Sequence, residues 1–132
     1  MSSRSVSDLE RGIHRTAHKD TAVLLAGALG LAEALNRLGE LAARTSATGQ
    51  ARQRHARALA IARDLGAAPE QARALEGLGR AHLQDGNSGQ AAARLRQALA
   101  IYQRIGAPAA RRVQQTLCQY GPEQAFYQLV HD

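Results

Sequence analysis

His14 and His18 stand four residues apart, a spacing that puts two imidazoles on one face of a helix. A zinc-hydrolase helix of that kind needs Glu directly after the first His, and Arg15 is there instead. No third ligand follows at a useful interval, so metal binding is not expected. Cys118 is the single cysteine. No His or Asp arrangement can be placed beside it, and it reads as a small apolar residue. One cysteine also means no disulfide framework, which suits a reducing compartment. Gly77-Leu78-Gly79 lies within a helical pattern and reads as a packing feature, not a phosphate-cradling loop. Paired carboxylates and nucleophile motifs are missing from the sequence. These residues point to a chain with no catalytic site, metal or cofactor.

Recognition chemistry is better represented. The formal charge is +6, and 16 of the 17 basic residues are Arg. Arg52, Arg54, Arg57 and Arg63 make one predicted helix strongly basic. A nucleic-acid surface would pair such a row with stacking aromatics or a recognition helix. No aromatic lies nearby, and the outline of a helix-turn-helix at residues 71–79 is better explained by the register described next. Nucleic acid is therefore not an expected partner, and the basic row reads as a solvated helical surface.

The elements that would position any site come from an internal repeat. Residues 74–113 aligned on residues 34–73 give fourteen identities in forty positions. Ala34, Leu35, Leu38 and Gly39 recur as Ala74, Leu75, Leu78 and Gly79. Gly49-Gln50-Ala51 recurs as Gly89-Gln90-Ala91, and Ala58 to Ile61 as Ala98 to Ile101. A period of this size signals stacked repeats that bury their apolar faces against one another. The 28 Ala, with no Trp, favour helices packed at close range over a β-sandwich.

Leu31, Leu35, Leu38 and Leu41 recur at three- and four-residue intervals and form a helical stripe. The turn formers of residues 45–49 end that helix, and a second is predicted over 50–65 with Gly66 past its end. Pro69 suits the first turn of a third helix, which carries Leu75, Leu78, Ala81 and Leu83. Asp85 to Asn87 mark a turn, and Ser88 is the predicted N-cap of a fourth helix ending near Ile105. A capping helix is predicted over 109–119 and a short closing one over 122–130. Upstream, Ser7 to Glu10 has the capping-box pattern for a short helix over 8–18. Asp20 or Thr21 would cap another, weakened by Gly27 and Gly30.

Leu75-x-x-Leu78-Gly79-x-x-His82, then Ala91-x-x-x-Leu95, then Ala98, resembles the tetratricopeptide repeat, as do Leu35, Leu38-Gly39, Ala42, Ala51, His55 and Ala58 in the earlier copy. Leu replaces the family's Trp at the first large position, and the period is 40 instead of the usual 34. The longer form resembles the C-terminal repeat region of actinobacterial antibiotic-regulatory-type transcriptional regulators. The resemblance implies an all-α, right-handed α-α superhelix with a C-terminal capping helix. Gly39 and Gly79 would admit the second helix of each pair, with Ala51 and Ala91 as its contact points. His55 and His82 would be structural.

The same resemblance implies a bacterial cytoplasmic interaction or sensor module whose concave groove holds a protein or peptide. Carried over by position, the groove residues are Glu33, Asn36, Glu40, Arg44, Arg73, Glu76, Arg80 and Leu83. Asn36 would clamp a peptide backbone through its amide, and Arg73 and Arg80 would pair with carboxylates.

The expected organisation is an N-terminal helical segment over residues 1–30, either a degenerate repeat or a dimerisation segment. Two repeats (34–73 and 74–113) and the capping helix follow within 31–119, and a short helix occupies 120–132. Residues 21–32 are the most apolar stretch, too short to span a bilayer and closed by Glu33. A secretory signal is not expected there, because Asp8, Glu10 and Asp20 precede it. Two clear repeats are fewer than the three that usually sustain a stack. The alternative expectation is therefore a self-associating fragment of a larger regulator or signalling ATPase, paired as a homodimer through residues 21–35.

Overall fold

A computed structural model describes the backbone of residues 3–120 and the side chains of residues 20–120. The described residues form five helices and no strand: α1 (Ser3–Arg44), α2 (Thr48–Leu65), α3 (Ala68–Gln84), α4 (Ser88–Arg104) and α5 (Ala109–Tyr120). The fold is an all-α repeat stack. α1 pairs with α2, α3 with α4, α3 lies on α2, and α5 covers α4.

Turn geometry repeats with the sequence. Left-handed residues stand at Ser46 and Gly86 inside each pair, and at Gly66 and Gly106 after each pair. Both sets are 40 apart. Each turn closes with the bond expected for a Schellman motif, from Ala47 N–H to Ala42, Ala67 to Ala62, Asn87 to His82 and Ala107 to Tyr102, at 2.8–2.9 Å. Ser46 is the one non-Gly residue in this conformation among the described residues. Its short polar side chain makes that less costly than a branched one would be.

Small residues set the helix spacing. A Cβ on Gly39 would stand 2.5 Å from the His55 ring, and one on Gly79 would stand 2.7 Å from Leu95. Both glycines therefore admit α2 and α4, as the repeat pattern implies. Ala51 and Ala91 are fully buried at the crossings. Leu35, Leu59, Leu75, Leu78, Leu95 and Val113 fill the space between pairs and form a continuous core. His55 is wholly buried between Gly39 and Gly77, on whose imidazole a Cβ at either glycine would fall.

Two local expectations are corrected. α1 runs unbroken from Ser3 through residues 18–21, where one helix was expected to end and another to begin, and on through Gly27 and Gly30, expected only to weaken it. No proline interrupts it, and an interior glycine costs a helix only about 1 kcal/mol. Ser88 is the first helical residue and Asn87 takes the cap position, with no side-chain capping bond. Along the leucine stripe only Leu35 is buried, while Leu31, Leu38 and Leu41 stay exposed, since none of the described residues covers that side of α1. The helix expected over 122–130 lies outside the described residues.

Candidate functional site

α3 projects Arg73, Glu76 and Arg80 from one face at three- and four-residue steps, beside Glu40 of α1 and Arg112 of α5. Together with Gly77 and Tyr102 these side chains line a depression of about 400 Å³. Its floor is the Glu76 carboxylate, which is buried. Arg112 approaches it side-on, with Nε and Nη2 each donating at 2.8 Å. The Tyr102 hydroxyl donates to Oε1 at 2.9 Å, and Arg80 donates from one turn along α3 at 3.0 and 3.2 Å.

Burial alone would push the Glu76 carboxyl up, but the bonds and charge of Arg112, helped by Tyr102 and Arg80, hold it below its usual value. It is therefore ionised at neutral pH. Burial and the adjacent carboxylate raise the Tyr102 hydroxyl, which stays protonated and serves as a donor. The bond to Glu76 raises Arg112.

The two guanidinium groups stay open to solvent on the side away from Glu76, with side-chain exposures of 44% for Arg80 and 57% for Arg112. A guanidinium carries five N–H donors, so each keeps donors for a ligand. Arg73 is already committed to Glu40, through Nε at 2.8 Å and Nη2 at 3.1 Å. The lining thus holds three cations and two carboxylates, with a third carboxylate, Glu70, 3.8 Å from Arg73.

Four of the eight residues carried over from the family pattern meet here: Glu40, Arg73, Glu76 and Arg80. Asn36 does not, and its expected clamp role is corrected. It is fully buried, its Oδ1 faces His55 Nδ1 at 2.8 Å, and its Nδ2 donates to Glu70 Oε2 at 2.8 Å and to the Glu70 carbonyl at 3.3 Å. Both ends of the amide are used, so nothing is left for a peptide backbone. Glu76 is likewise engaged from within, by Arg112, Tyr102 and Arg80. Glu33 is half-buried on α1, Arg44 is exposed in the last turn of α1, and Leu83 packs against the core. None of these three lines the depression.

Two of its lining residues, Tyr102 and Arg112, were absent from that set. Tyr102 was legible only as a core position of the fourth helix. Arg112 stands 40 residues beyond Ala72, so the repeat gives no signal for it. Elsewhere, Arg52 of the basic row is paired with Asp85, whose other oxygen accepts from Thr48 at 2.7 Å. Among the described residues, no group of three or more His, Cys, Asp or Glu side chains has a metal-binding arrangement.

A family model described as tetratricopeptide repeat matches residues 30–104, more than half of the chain. No curated protein and no solved structure matches it.

Proposed function

The chain belongs to the tetratricopeptide repeat family, and from that premise we propose that it is a non-catalytic scaffold whose depression seats an acidic side chain or terminal carboxylate of a partner protein. The observation that carries this reading is the pair Arg80 and Arg112. Both are anchored on one buried carboxylate and both keep half-open guanidinium groups. Anchoring lowers the entropy lost when a carboxylate docks, and planar guanidinium geometry matches a carboxylate in two-point contact. The regulator-like wording of residues 74–108 supports a place in a bacterial cytoplasmic regulatory system, with the partner's acidic segment as the signal read.

The test is binding of short acidic peptides, followed by fluorescence anisotropy at low and moderate salt. Replacing Arg80 with Gln leaves Glu76 held by Arg112 and Tyr102. The expected result is binding weakened about tenfold or more, with a shallower salt dependence. Unchanged affinity in a variant of normal helicity would remove the assignment.

A further inference from the structure

A second depression, of about 310 Å³, is lined by His82 of α3 and by Gln90, Ala93, Arg94 and Gln97 of α4. Arg80 and His82 are two residues apart, about 200° around α3, so this depression opens away from the arginine one. The polar groups of its lining are donors. Gln97 spends its carbonyl oxygen on Arg94, which donates from Nη1 at 3.3 Å, and the amide N–H groups of Gln97 stay available. Among the described residues no carboxylate pairs with Arg94, which keeps its other N–H groups. Gln90 is exposed.

His82 supplies a further donor. Its Nδ1 is buried without a hydrogen-bond partner among the described residues. A proton there would be a buried donor with no acceptor, so the neutral ring carries its proton on Nε2, which is not enclosed in this way. Burial first, and then the charges of Arg52 of α2 and Arg94 of α4, hold the imidazole below its usual pKa, while Asp85 opposes them less. Asp85 is itself paired with Arg52 and accepts from Thr48. The field at the ring is therefore positive. Its source is wider than the depression: α2 and α4 together carry seven Arg against one acidic residue, Asp64, which equals the formal +6 of the whole chain. α3, by contrast, balances Arg73 and Arg80 against Glu70 and Glu76. A cleft with this sign of charge concentrates anions.

The donors also select the anion. A carboxylate presents two oxygens in one plane. A phosphate monoester presents three terminal oxygens and nearly two negative charges at neutral pH, and it satisfies donors that converge from two helices. The exposed positions of α2 and α4 hold only Arg, Gln, Ala, Gly, Ser and Asp64. No large apolar side chain stands there to enter a lipid surface, and no aromatic to stack on bases.

We propose that the depression between α3 and α4 binds a phosphate monoester group, held by His82 Nε2, Arg94 and the amides of Gln90 and Gln97. The group is carried by a phosphorylated side chain of a partner protein or by a free monoester, two sources with the same chemistry.

NMR titration of the full chain with inorganic phosphate at neutral pH, against matched chloride, tests the site. The expected result is a saturable shift of the His82 ring protons by about 10 mM phosphate, with a rise of the His82 pKa on binding. Arg94→Gln should weaken binding about tenfold or more. Gln90→Glu, at an exposed position, should weaken it as well, with unchanged far-UV circular dichroism. Arg37→Gln, which removes one positive charge from α1, should leave it unaltered. A short phosphoserine peptide that binds about tenfold or more tighter than free phosphoserine supports the site with a partner protein as source, and equal affinities support it with a free monoester. No saturable shift of His82 up to about 50 mM phosphate overturns the proposal, as does a shift that survives Arg94→Gln. Tighter binding of a DNA duplex than of either phosphoserine ligand, weakened equally by Arg54→Gln outside the depression, overturns it in favour of nucleic acid.

Discussion

Replacing Glu76 by Gln keeps the side-chain volume and removes the charge at the centre of the groove. In the native protein the carboxylate accepts two bonds from Arg112, one from Tyr102 and a forked pair from Arg80. A Gln carbonyl still accepts from Tyr102. Its amide nitrogen faces guanidinium donors and breaks the paired geometry with Arg112. A charge-assisted bond contributes about 1.5–3 kcal/mol, but both arginines are half exposed and regain water when released. The Arg80 and Arg112 arms are therefore discounted toward the about 0–1 kcal/mol of surface pairs, and the expected loss is about 2 kcal/mol. For a chain of this length that lowers Tm by about 7 °C. The complementary change, Arg112→Met, leaves a buried carboxylate with fewer donors and should cost about as much. Because the two changes remove one shared interaction, the double variant should be less unstable than their sum by about 1–2 kcal/mol. Urea denaturation followed by far-UV circular dichroism measures all three. A loss below about 0.5 kcal/mol for Glu76→Gln, or strict additivity in the double variant, would refute the view that Glu76 organises the site.

The remaining predictions concern the packing and titration of His55. Gly77→Ala gains helix propensity but drives a methyl into the His55 ring, so the variant should be less stable by about 1–3 kcal/mol; Gly30→Ala meets nothing within 4 Å and should be more stable by about 0.5–1 kcal/mol, and thermal melts showing both with the same sign would contradict the packing. Burial lowers the His55 pKa below 6.5, so its contribution is complete above that value and is lost as pH falls through the folded pKa. Glu76, held below 4.5, adds a second loss that begins only near that lower value. Urea midpoints should therefore decline from neutral pH to about pH 5 by at most about 1.4 kcal/mol per pH unit for His55. His55→Gln should lessen that first decline, to which His82, also lowered by burial, adds its own part, and a midpoint already flat in the wild type would count against a neutral buried imidazole.

The repeat, its turns and its small contact residues were all legible because each has a local chemical cause. Gly66 and Gly106 had to stand where the chain turns left-handed. Gly39 and Gly79 had to stand where α2 and α4 cross. Less was legible at the N-terminus, where the short capping signals at Ser7 and Asp20 suggested separate helices and Gly30 a weakened one. Those signals are worth about 1 kcal/mol each and cannot end a helix without a proline or a competing turn. Only half of the residues assigned to the groove line the depression, for a geometric reason. Periodicity gives the face of α3 on which Glu76 and Arg80 lie, but not how deep each sits, nor that Arg112 arrives from α5. Depth depends on the neighbouring helix, and the third A-type helix departs from the repeat where Arg112 appears.

Asn36 and Glu76 show what variation between the copies does. They occupy the same register position, 40 apart, and both are buried polar residues. Each reaches forward to the first helix of the next unit: Asn36 to Glu70 of α3, and Glu76 to Arg112 of α5. Each also binds a side chain from the second helix of its own unit, His55 in one case and Tyr102 in the other. The position is thus a polar staple joining three helices, and its chemistry is matched to the particular neighbour. An Asn at 76 could not neutralise Arg112, and a Glu at 36 would face Glu70 with like charge. Exchanging the two residues should therefore destabilise both junctions, although each is tolerated at its own site. The difference between copies at this position matches each staple to its own neighbour. In the function proposed above, what the stack turns outward for recognition is the open side of the arginines that the second staple holds.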